Sequence, residues 1–165
     1  MLKLIKSLRI ISGGQTGVDR AALDFALENH INCFGWCPKG RMAEDGIIPL
    51  SYPLKETASS HYKVRTRKNV EEGQGLLVFL DGKPDKGTIL AMDHAEKLNK
   101  PVYVVHFNMN VEDQEIGILN LLRSYNISDI NIVGPRESNS PGIYHKTKKF
   151  LEELLFHLKE QTPEE

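Results

Sequence analysis

The chain has 165 residues, of which 40% are hydrophobic and 26% are charged, and its formal net charge is −1. This balance predicts one soluble domain with a sizeable core at residues 1–160, followed by a flexible tail at 161–165. A net charge near zero gives no general attraction to nucleic acid or to an anionic membrane, so we expect neither as a partner. No apolar run approaches the ~18 residues of a membrane span. Two cysteines exclude a disulfide framework, and we expect reduced thiols in a cytoplasmic protein.

Apolar runs alternate with helix-like segments along most of the chain. Strands are predicted at 8–12, 31–36, 76–80, 101–107 and 127–133, and helices at 18–29, 62–72, 88–99, 111–124 and 143–160. Residues 38–60 are rich in Pro, Gly and charge, and their length favours a functional loop. The alternation predicts an α/β fold, a three-layer sandwich with a mainly parallel sheet of about five core strands.

A glycine-rich turn follows the first predicted strand. Gly13, Gly14 and Gly17 allow tight bending with free backbone N–H groups, and the helix behind them favours an anion at its N-terminus. The spacing matches neither the G-x-x-x-x-G-K-[ST] loop nor G-x-G-x-x-G. The turn is therefore typical of a phosphate site, and the alternative is a tight strand-to-helix turn that binds nothing.

The carboxyl ends of the predicted strands indicate where a ligand would bind. Ligands of open α/β sheets bind at those ends, so segments 13–19, 37–45, 81–88 and 134–138 should meet at one rim. In particular, we predict that Gly13, Arg41, Gly87 and Arg136 line one cavity. Solvated loop charges are the alternative for the cations there. The six histidines show no H-x-x-x-H or H-E-x-x-H pattern, so no metal ligand is predicted.

Residues 63–68 form a basic cluster that is by default a solvated helix face. Arg65 and Asn69 are four positions apart, so they share one face of the predicted helix and can point into the rim as a pair. The solvated helix face and this pair at the rim are the two alternatives for the cluster.

Several motifs together resemble a known family. They are Gly-Gly-Gln-Thr-Gly-Val-Asp-Arg at 13–20, Pro-Lys-Gly-Arg at 38–41, Tyr-x-x-Arg-Thr-x-x-Asn-Val at 62–70 and Val-Gly-Pro-Arg-Glu-Ser at 133–138. With them the chain resembles the putative molybdenum carrier family, a Rossmann-like group of molybdenum-cofactor binding proteins. The resemblance implies a Rossmann-like sheet, a homo-oligomer (dimer or tetramer) and a pterin phosphate ligand that carries molybdenum. The wider clan is similar to nucleotide-binding proteins, including phosphoribohydrolases.

The expected function is non-catalytic binding of molybdenum cofactor (molybdopterin), with a nucleotide or phosphate as the alternative ligand. A nucleoside monophosphate phosphoribohydrolase and a nucleotide-sensing interaction module are the alternative functions. The candidate binding residues are Gly13, Gly14, Gln15, Thr16, Gly17, Asp19, Arg20, Lys39, Arg41, Glu44, Arg65, Asn69, Gly87, Thr88, Arg136, Glu137 and Ser138. The glycines and threonines would donate hydrogen bonds, Lys39, Arg41 and Arg136 would neutralise an anion, and Asp19 and Glu44 would hold ring or ribose donors. No catalytic residue is assigned.

The hydrolase alternative meets one obstacle in the sequence. The enzymes of the clan carry a Gly-Thr-x-x-Glu pattern, whose acid is expected to handle the leaving group or the attacking water. Here Ala91 stands at the position of that glutamate. Glu44, Asp45 and Glu137 are the acids that could substitute for it. We therefore expect no phosphoribohydrolase activity.

Overall fold

The structure, a computed structural model, describes residues 2–160 of the chain, and the tail predicted at 161–165 lies outside them. Eight strands are present in the described part: β1 (Arg9–Ile11), β2 (Asn32–Cys37), β3 (Met42–Ala43), β4 (Gly46–Ile47), β5 (Leu54–Glu56), β6 (Gly75–Leu80), β7 (Val102–His106) and β8 (Asp129–Val133). Six of them form a sheet in the order β5-β2-β1-β8-β6-β7, in which every pair is parallel. Strands β3 and β4 form a separate antiparallel hairpin.

Helices cover both faces of the sheet. They are α1 (Leu2–Ser7), α2 (Val18–Glu28), α3 (Tyr62–Glu72), α4 (Lys86–Lys97), α5 (Val111–Ser124) and α6 (Ile143–Glu160). Alternate residues of a strand point to opposite faces, and β6 shows this clearly. Its Leu77 and Phe79 pack in the larger core with α2, α5 and α6, whereas Leu76 and Val78 pack in the smaller core with α3 and α4. None of these helices has the length and apolar character needed to cross a membrane.

The α/β class and the parallel sheet predicted from the sequence are confirmed. The five predicted strands and five predicted helices are all present, with ends that differ by two residues or fewer. Four elements were missed, namely α1, β3, β4 and β5. Strand β5 lies inside the segment predicted to be irregular, because Lys55 and Glu56 are exposed at the sheet edge and leave no apolar pattern. Helix α1 was not predicted either.

A third apolar cluster anchors the long segment between β2 and α3. Ala43, Ile48 and Leu54 from this segment pack against Leu23 of α2 and Cys37 of β2. The segment therefore folds over the β2 side of the sheet. This placement decides which of its charged residues reach the site.

Candidate functional site

A cavity of about 650 Å³ lies between α3 and α4, at the carboxyl ends of β1, β6 and β8. We call it the α3–α4 cavity. In the sheet, β1 lies between β2, the next strand in the chain, and β8, the last one. The cavity therefore occupies the switch point of the sheet. Its polar and charged lining comprises Gln15, Asp19, His61, Tyr62, Lys63, Arg65, Thr66, Asn69, Asp85, Lys86, Thr88, Asp93, Asn131 and Arg136.

Arg65 is the buried cation of this cavity, with 7% of its surface exposed. Its Nη1 donates to the carbonyl oxygen of Gly13 at 2.7 Å and lies 3.9 Å from Asp19 Oδ2. A Cβ on Gly13 would come within 2.7 Å of Nη1 and 2.9 Å of Asp19 Oδ2, so the close approach requires glycine. The Nη2 of Arg65 has no acceptor among the described residues. The guanidinium therefore has a free donor to offer a ligand.

Burial shifts the pKa values of Arg65 and Asp19 in opposite directions. It lowers the pKa of Arg65 below its usual value, although Asp19 works against that shift. It raises the pKa of Asp19 to about 6, although the Arg65 charge and the Gln15 amide lower it. Asp19 is thus a carboxyl group that titrates close to neutral pH at the wall of the cavity.

Asp85 caps the N-terminus of α4. Its Oδ1 accepts from the backbone N and the Oγ1 of Thr88, at 2.9 and 2.7 Å. Its Oδ2 accepts from the Arg136 amide and from Asn139 Nδ2, both at 3.1 Å. Burial raises the pKa of Asp85, but these hydrogen bonds outweigh burial and hold it below its ordinary value. The amides of Lys86 and Gly87 have no acceptor among the described residues, so part of the helix N-terminus stays open.

The glycine-rich loop uses most of its own amides. Gly14 N donates to Ser12 Oγ at 3.4 Å, Gln15 N to Asp19 Oδ2 at 3.3 Å, and Thr16 N to Gln15 Oε1 at 3.0 Å. The predicted role of Gly14 and Thr16 amides as ligand donors therefore does not fit this arrangement. The amide of Gly13, at the cavity wall, has no acceptor among residues 2–160.

Two of the predicted glycines face the protein instead of the cavity. A Cβ on Gly14 would meet Leu54 at 2.4 Å, and one on Gly17 would meet the Pro135 carbonyl oxygen at 2.4 Å. Both have φ near +75°, a region that favours glycine. These glycines allow the loop to pack closely, which is the alternative that the sequence left open.

Arg41 does not line the cavity, which corrects the sequence-based prediction for it. Its Nε donates to Ile48 O at 3.0 Å and its Nη1 to Leu54 O at 2.9 Å. Its Nη2 donates to Pro49 O and Tyr52 O, at 2.8 and 3.1 Å. The guanidinium donates to four backbone carbonyls of the segment that folds over the β2 side. Arg41 therefore holds the backbone of this segment.

Glu44 forms a second polar cluster outside the cavity. Its carboxylate accepts from Thr16 Oγ1 and from the backbone N and Oγ of Ser138, and it lies 3.8 Å from Arg136 Nη1. Burial raises the pKa of Glu44, but the hydrogen bonds from Ser138 and Thr16 outweigh it and lower that pKa. Glu44 thus ties the hairpin to the loops after β1 and β8, and it occupies the donors that were expected to meet a ligand.

Three more predicted residues have other partners. Arg20 donates to the Gly14 carbonyl oxygen and pairs with Asp45 at 3.0 Å. Glu137 accepts from the amides of Gly142 and Tyr144 at the start of α6. Lys39 is exposed, and its backbone amide donates to Ser59.

Asn69 is buried beside Arg65 on one face of α3, as predicted, but its amide bonds to the backbone. It donates to Trp36 O at 2.9 Å and accepts from Trp36 N at 2.8 Å, which fixes α3 to β2. The predicted residues that line the cavity are Gly13, Gln15, Asp19, Arg65, Asn69, Gly87, Thr88 and Arg136. Those that do not are Gly14, Thr16, Gly17, Arg20, Lys39, Arg41, Glu44, Glu137 and Ser138.

Asp85 and Asn131 are two of the cavity residues that the sequence-based reasoning missed. Asp85 had a signal, because an Asp three positions before Thr88 at a helix start is typical of an N-cap. Asn131, in the middle of β8, is 1% exposed, and neither its Oδ1 nor its Nδ2 has a partner among the described residues. A lone polar residue in the apolar run Ile-Asn-Ile-Val was its signal. Within residues 2–160, no group of three or more His, Cys, Asp or Glu side chains is placed to hold a metal ion.

Comparison with known proteins agrees with this architecture. Residues 10–155 match the family model of the circularly permutated YpsA SLOG family. The chain is similar to the crystal structure of a protein named putative molybdenum carrier protein from Syntrophus aciditrophicus SB. The two are 41% identical with a TM-score of 0.86 over 91% of this chain and 96% of that one. No curated protein matches the chain. The resemblance inferred from the sequence is confirmed, and the chain belongs to the circularly permutated YpsA SLOG family.

Proposed function

We propose that the α3–α4 cavity binds a small phosphorylated molecule, the pterin phosphate of molybdenum cofactor or a nucleotide-like relative, without turning it over. The observation that carries the proposal is the guanidinium of Arg65, which is buried at the cavity wall with Nη2 lacking an acceptor among the described residues. Asp19 lies 3.9 Å from Nη1, and an oxygen of opposite charge at Nη2 would add a charge-assisted hydrogen bond, which is stronger than a neutral one. A phosphate supplies such an oxygen.

The surroundings of Arg65 favour an anion further. The amides of Lys86 and Gly87 at the start of α4 lack acceptors among the described residues, and a helix N-terminus favours negative charge. Four cationic side chains line the cavity against three carboxylates, and one of these, Asp19, has its pKa raised to about 6. The cations are Lys63, Arg65, Lys86 and Arg136, and the acids are Asp19, Asp85 and Asp93.

The residues of the cavity fit the pterin phosphate part of molybdenum cofactor. The cationic wall suits the phosphate. The described residues offer no cluster of His, Cys or carboxylate ligands for the metal. In this proposal the molybdenum travels as cargo on the pterin, and the chain holds the organic part. Homo-oligomeric assembly stays a prediction, which sedimentation equilibrium of the purified protein tests.

Binding without turnover is supported by the surroundings of the acids. Ala91 is buried at the cavity wall where the related hydrolases carry glutamate. The three acids that could replace that glutamate are already engaged: Glu44 with Thr16 and Ser138, Asp45 with Arg20, and Glu137 with the start of α6. None of these three lines the cavity.

One observation favours the hydrolase as a second candidate function. Asp19 lies at the cavity wall with its pKa raised to about 6, and a carboxyl group that titrates near neutral pH suits general acid–base catalysis. Its Oδ2 is 3.9 Å from Arg65 Nη1, so it would stand next to a bound phosphate. If the chain is an enzyme, Asp19 is the acid we assign to the reaction.

Calorimetric titration of the purified protein with ribose 5-phosphate tests the binding proposal. Arg65→Gln should weaken binding by roughly ten- to a hundred-fold, because a hydrogen bond to a charged group is worth about 1.5–3 kcal/mol. Arg67→Gln is the matched control, because Arg67 is exposed on the same helix and should bind as the wild type does. If the Arg65 variant does not fold, the affinity of Arg136→Gln for ribose 5-phosphate tests the same proposal. An unchanged affinity in both the Arg65 and Arg136 variants contradicts the proposal, as does a wild type that binds no phosphate ester.

A further inference from the structure

Arg136 stands between the α3–α4 cavity and the hairpin of β3 and β4. It lines the cavity, and its Nη1 lies 3.8 Å from Oε2 of Glu44, which occupies the turn of that hairpin. Within residues 2–160 its backbone amide donates to Asp85, but its guanidinium donates no hydrogen bond. The side chain is 37% exposed. The guanidinium can therefore turn from Glu44 to an anion in the cavity.

A phosphate in the cavity would attract Arg136 more strongly than Glu44 does. At 3.8 Å the contact between Arg136 and Glu44 is an ion pair without a hydrogen bond, and ion pairs that water reaches contribute little. Arginine and phosphate can instead form two parallel charge-assisted hydrogen bonds. Burial lowers the pKa of Arg65 and the charge of Arg136 adds to this shift, so the two cations are close enough to share one anion.

The turn of the hairpin is held to the loops after β1 and β8 through Glu44. Its backbone N donates to Gln15 Oε1 at 2.9 Å. Its carboxylate accepts from Thr16 Oγ1 and from the backbone N of Ser138, the latter at 3.1 Å. Burial raises the pKa of Glu44, but these hydrogen bonds and the charge of Arg136 outweigh burial and lower that pKa. The contact with Arg136 thus stabilises the carboxylate that anchors the turn.

We propose that Glu44 competes with the bound anion for Arg136, so that filling the cavity loosens the turn of the hairpin. In one state Arg136 faces Glu44, as in this structure. In the other it faces the phosphate, and Glu44 keeps its neutral donors beside an added negative charge. Coupling between two sites is reciprocal, so the same competition makes Glu44 weaken anion binding. This inference rests on the proposed function, since the anion is the one proposed for the cavity.

Hydrogen exchange of single amides tests the loosening without any change to the protein. With saturating ribose 5-phosphate the amides of Glu44 and Ser138 should exchange about two- to five-fold faster, which is the effect of losing one solvent-accessible ion pair. The amide of Ile48 is the internal control, because it donates to Arg41 O at 2.7 Å at the base of the hairpin. Its exchange should not change. Unchanged or slower exchange at both Glu44 and Ser138 overturns the inference.

A variant of Glu44 tests the reciprocal effect on affinity. Glu44→Gln should bind ribose 5-phosphate about two- to five-fold more tightly than the wild type, because the amide oxygen still accepts hydrogen bonds but no longer attracts Arg136. Asp45→Asn is the matched control, because it removes the same charge from the next position of the turn, where Asp45 pairs with Arg20 at 3.0 Å. It should bind as the wild type does. An unchanged or weaker affinity of Glu44→Gln, or an equal gain in Asp45→Asn, overturns the inference.

The proposed function and this inference fail in different ways. If Arg65-dependent binding of ribose 5-phosphate is measured by calorimetry but neither the amide exchange nor the affinity of Glu44→Gln responds, the phosphate site stands and the inference is overturned. If the wild type binds no ribose 5-phosphate, both are overturned. Arg136→Gln should abolish the exchange response, whereas Arg65→Gln should keep it once the ligand is saturating. If Glu44→Gln does not fold, the exchange measurement on the wild type decides alone.

Discussion

Arg65 Nη1 donates a 2.7 Å hydrogen bond to the carbonyl oxygen of Gly13, and this contact joins α3 to the loop after β1. The two residues are 52 positions apart in the chain. The contact requires glycine at position 13, because a Cβ there would lie 2.7 Å from Nη1. Nε and one N–H of Nη1 have protein partners, so the contact fixes the direction of the cation and leaves both N–H groups of Nη2 for a ligand.

The first prediction follows from this geometry. Gly13→Ala should lower the free energy of unfolding by about 1–3 kcal/mol, because an extra methyl group in a packed site forces neighbours out of position. It should also weaken binding of ribose 5-phosphate, since Arg65 must move. Gly87→Ala is the matched control at the same cavity, because its Cβ would meet only Asp85 Oδ1, at 3.8 Å. Urea unfolding measures both, and equal stabilities of the two variants would contradict the prediction.

The second prediction concerns Arg41. Arg41→Ala should lower the free energy of unfolding by roughly 2–4 kcal/mol, because four backbone carbonyls lose a charged donor. Proteolysis of the segment between β2 and α3 should become faster. Affinity for ribose 5-phosphate should stay within about two-fold of the wild type wherever the variant is folded.

Lys39→Ala is the control for Arg41, because Lys39 is exposed in the same segment. It should be as stable as the wild type. A large loss of phosphate affinity in Arg41→Ala, without a loss of stability, would restore the role that the sequence suggested for this residue.

The comparison of Arg41 with Arg65 shows why the site was only partly predictable. The rule for open sheets correctly brings Gly13, Gly87 and Arg136 to one cavity, since each follows the carboxyl end of a strand or begins the next helix. The rule cannot tell which way a long connection folds after it leaves the strand. The segment carrying Arg41 packs through Ile48 and Leu54 on the β2 side, a tertiary choice that no local pattern reveals.

The fold was easier to predict than the site, and for a physical reason. Buried strands such as β6 are apolar on both faces, and helices such as α6 repeat their apolar residues with helical spacing, so each element carries its own signal. Asn131 shows the opposite case. A single polar residue in an apolar strand is visible in the sequence. That its side chain lacks a hydrogen-bond partner among the described residues is a property of the packed structure alone.

The third prediction is a pH dependence set by Asp19. Its pKa of about 6 in the folded chain lies above the ordinary value of 3.8, so protonation stabilises the folded state. That contribution is fully present below about pH 4 and is lost as the pH rises to about 6. The ionised carboxylate also repels an anion at Arg65. Sulfate binding should therefore weaken as the pH rises through about 6, and sulfate keeps its own charge over this range.

Asp19→Asn is the control for this pH dependence. Its sulfate affinity should depend less on pH than that of the wild type between about pH 5 and pH 7, because the Asp19 carboxyl has been removed. The wild type should also lose stability relative to this variant over the same rise in pH, as urea unfolding measures. Parallel pH profiles for the two proteins would show that Asp19 does not titrate there.

The last prediction decides between binding and hydrolysis. Incubation of the purified protein with AMP or GMP should release no free base above the level of a protein-free sample, because Ala91 replaces the acid of the related hydrolases. The acids Glu44, Asp45 and Glu137 are engaged elsewhere, so Asp19 is the remaining candidate that touches both the cavity and Arg65. Chromatography of the products measures the base directly. If base is released, Asp19→Asn should abolish it and Asp45→Asn, on the exposed side of the Arg20 pair, should not. That pattern would establish the hydrolase in place of the carrier, because an impurity would not respond to the change of one carboxyl group of this chain.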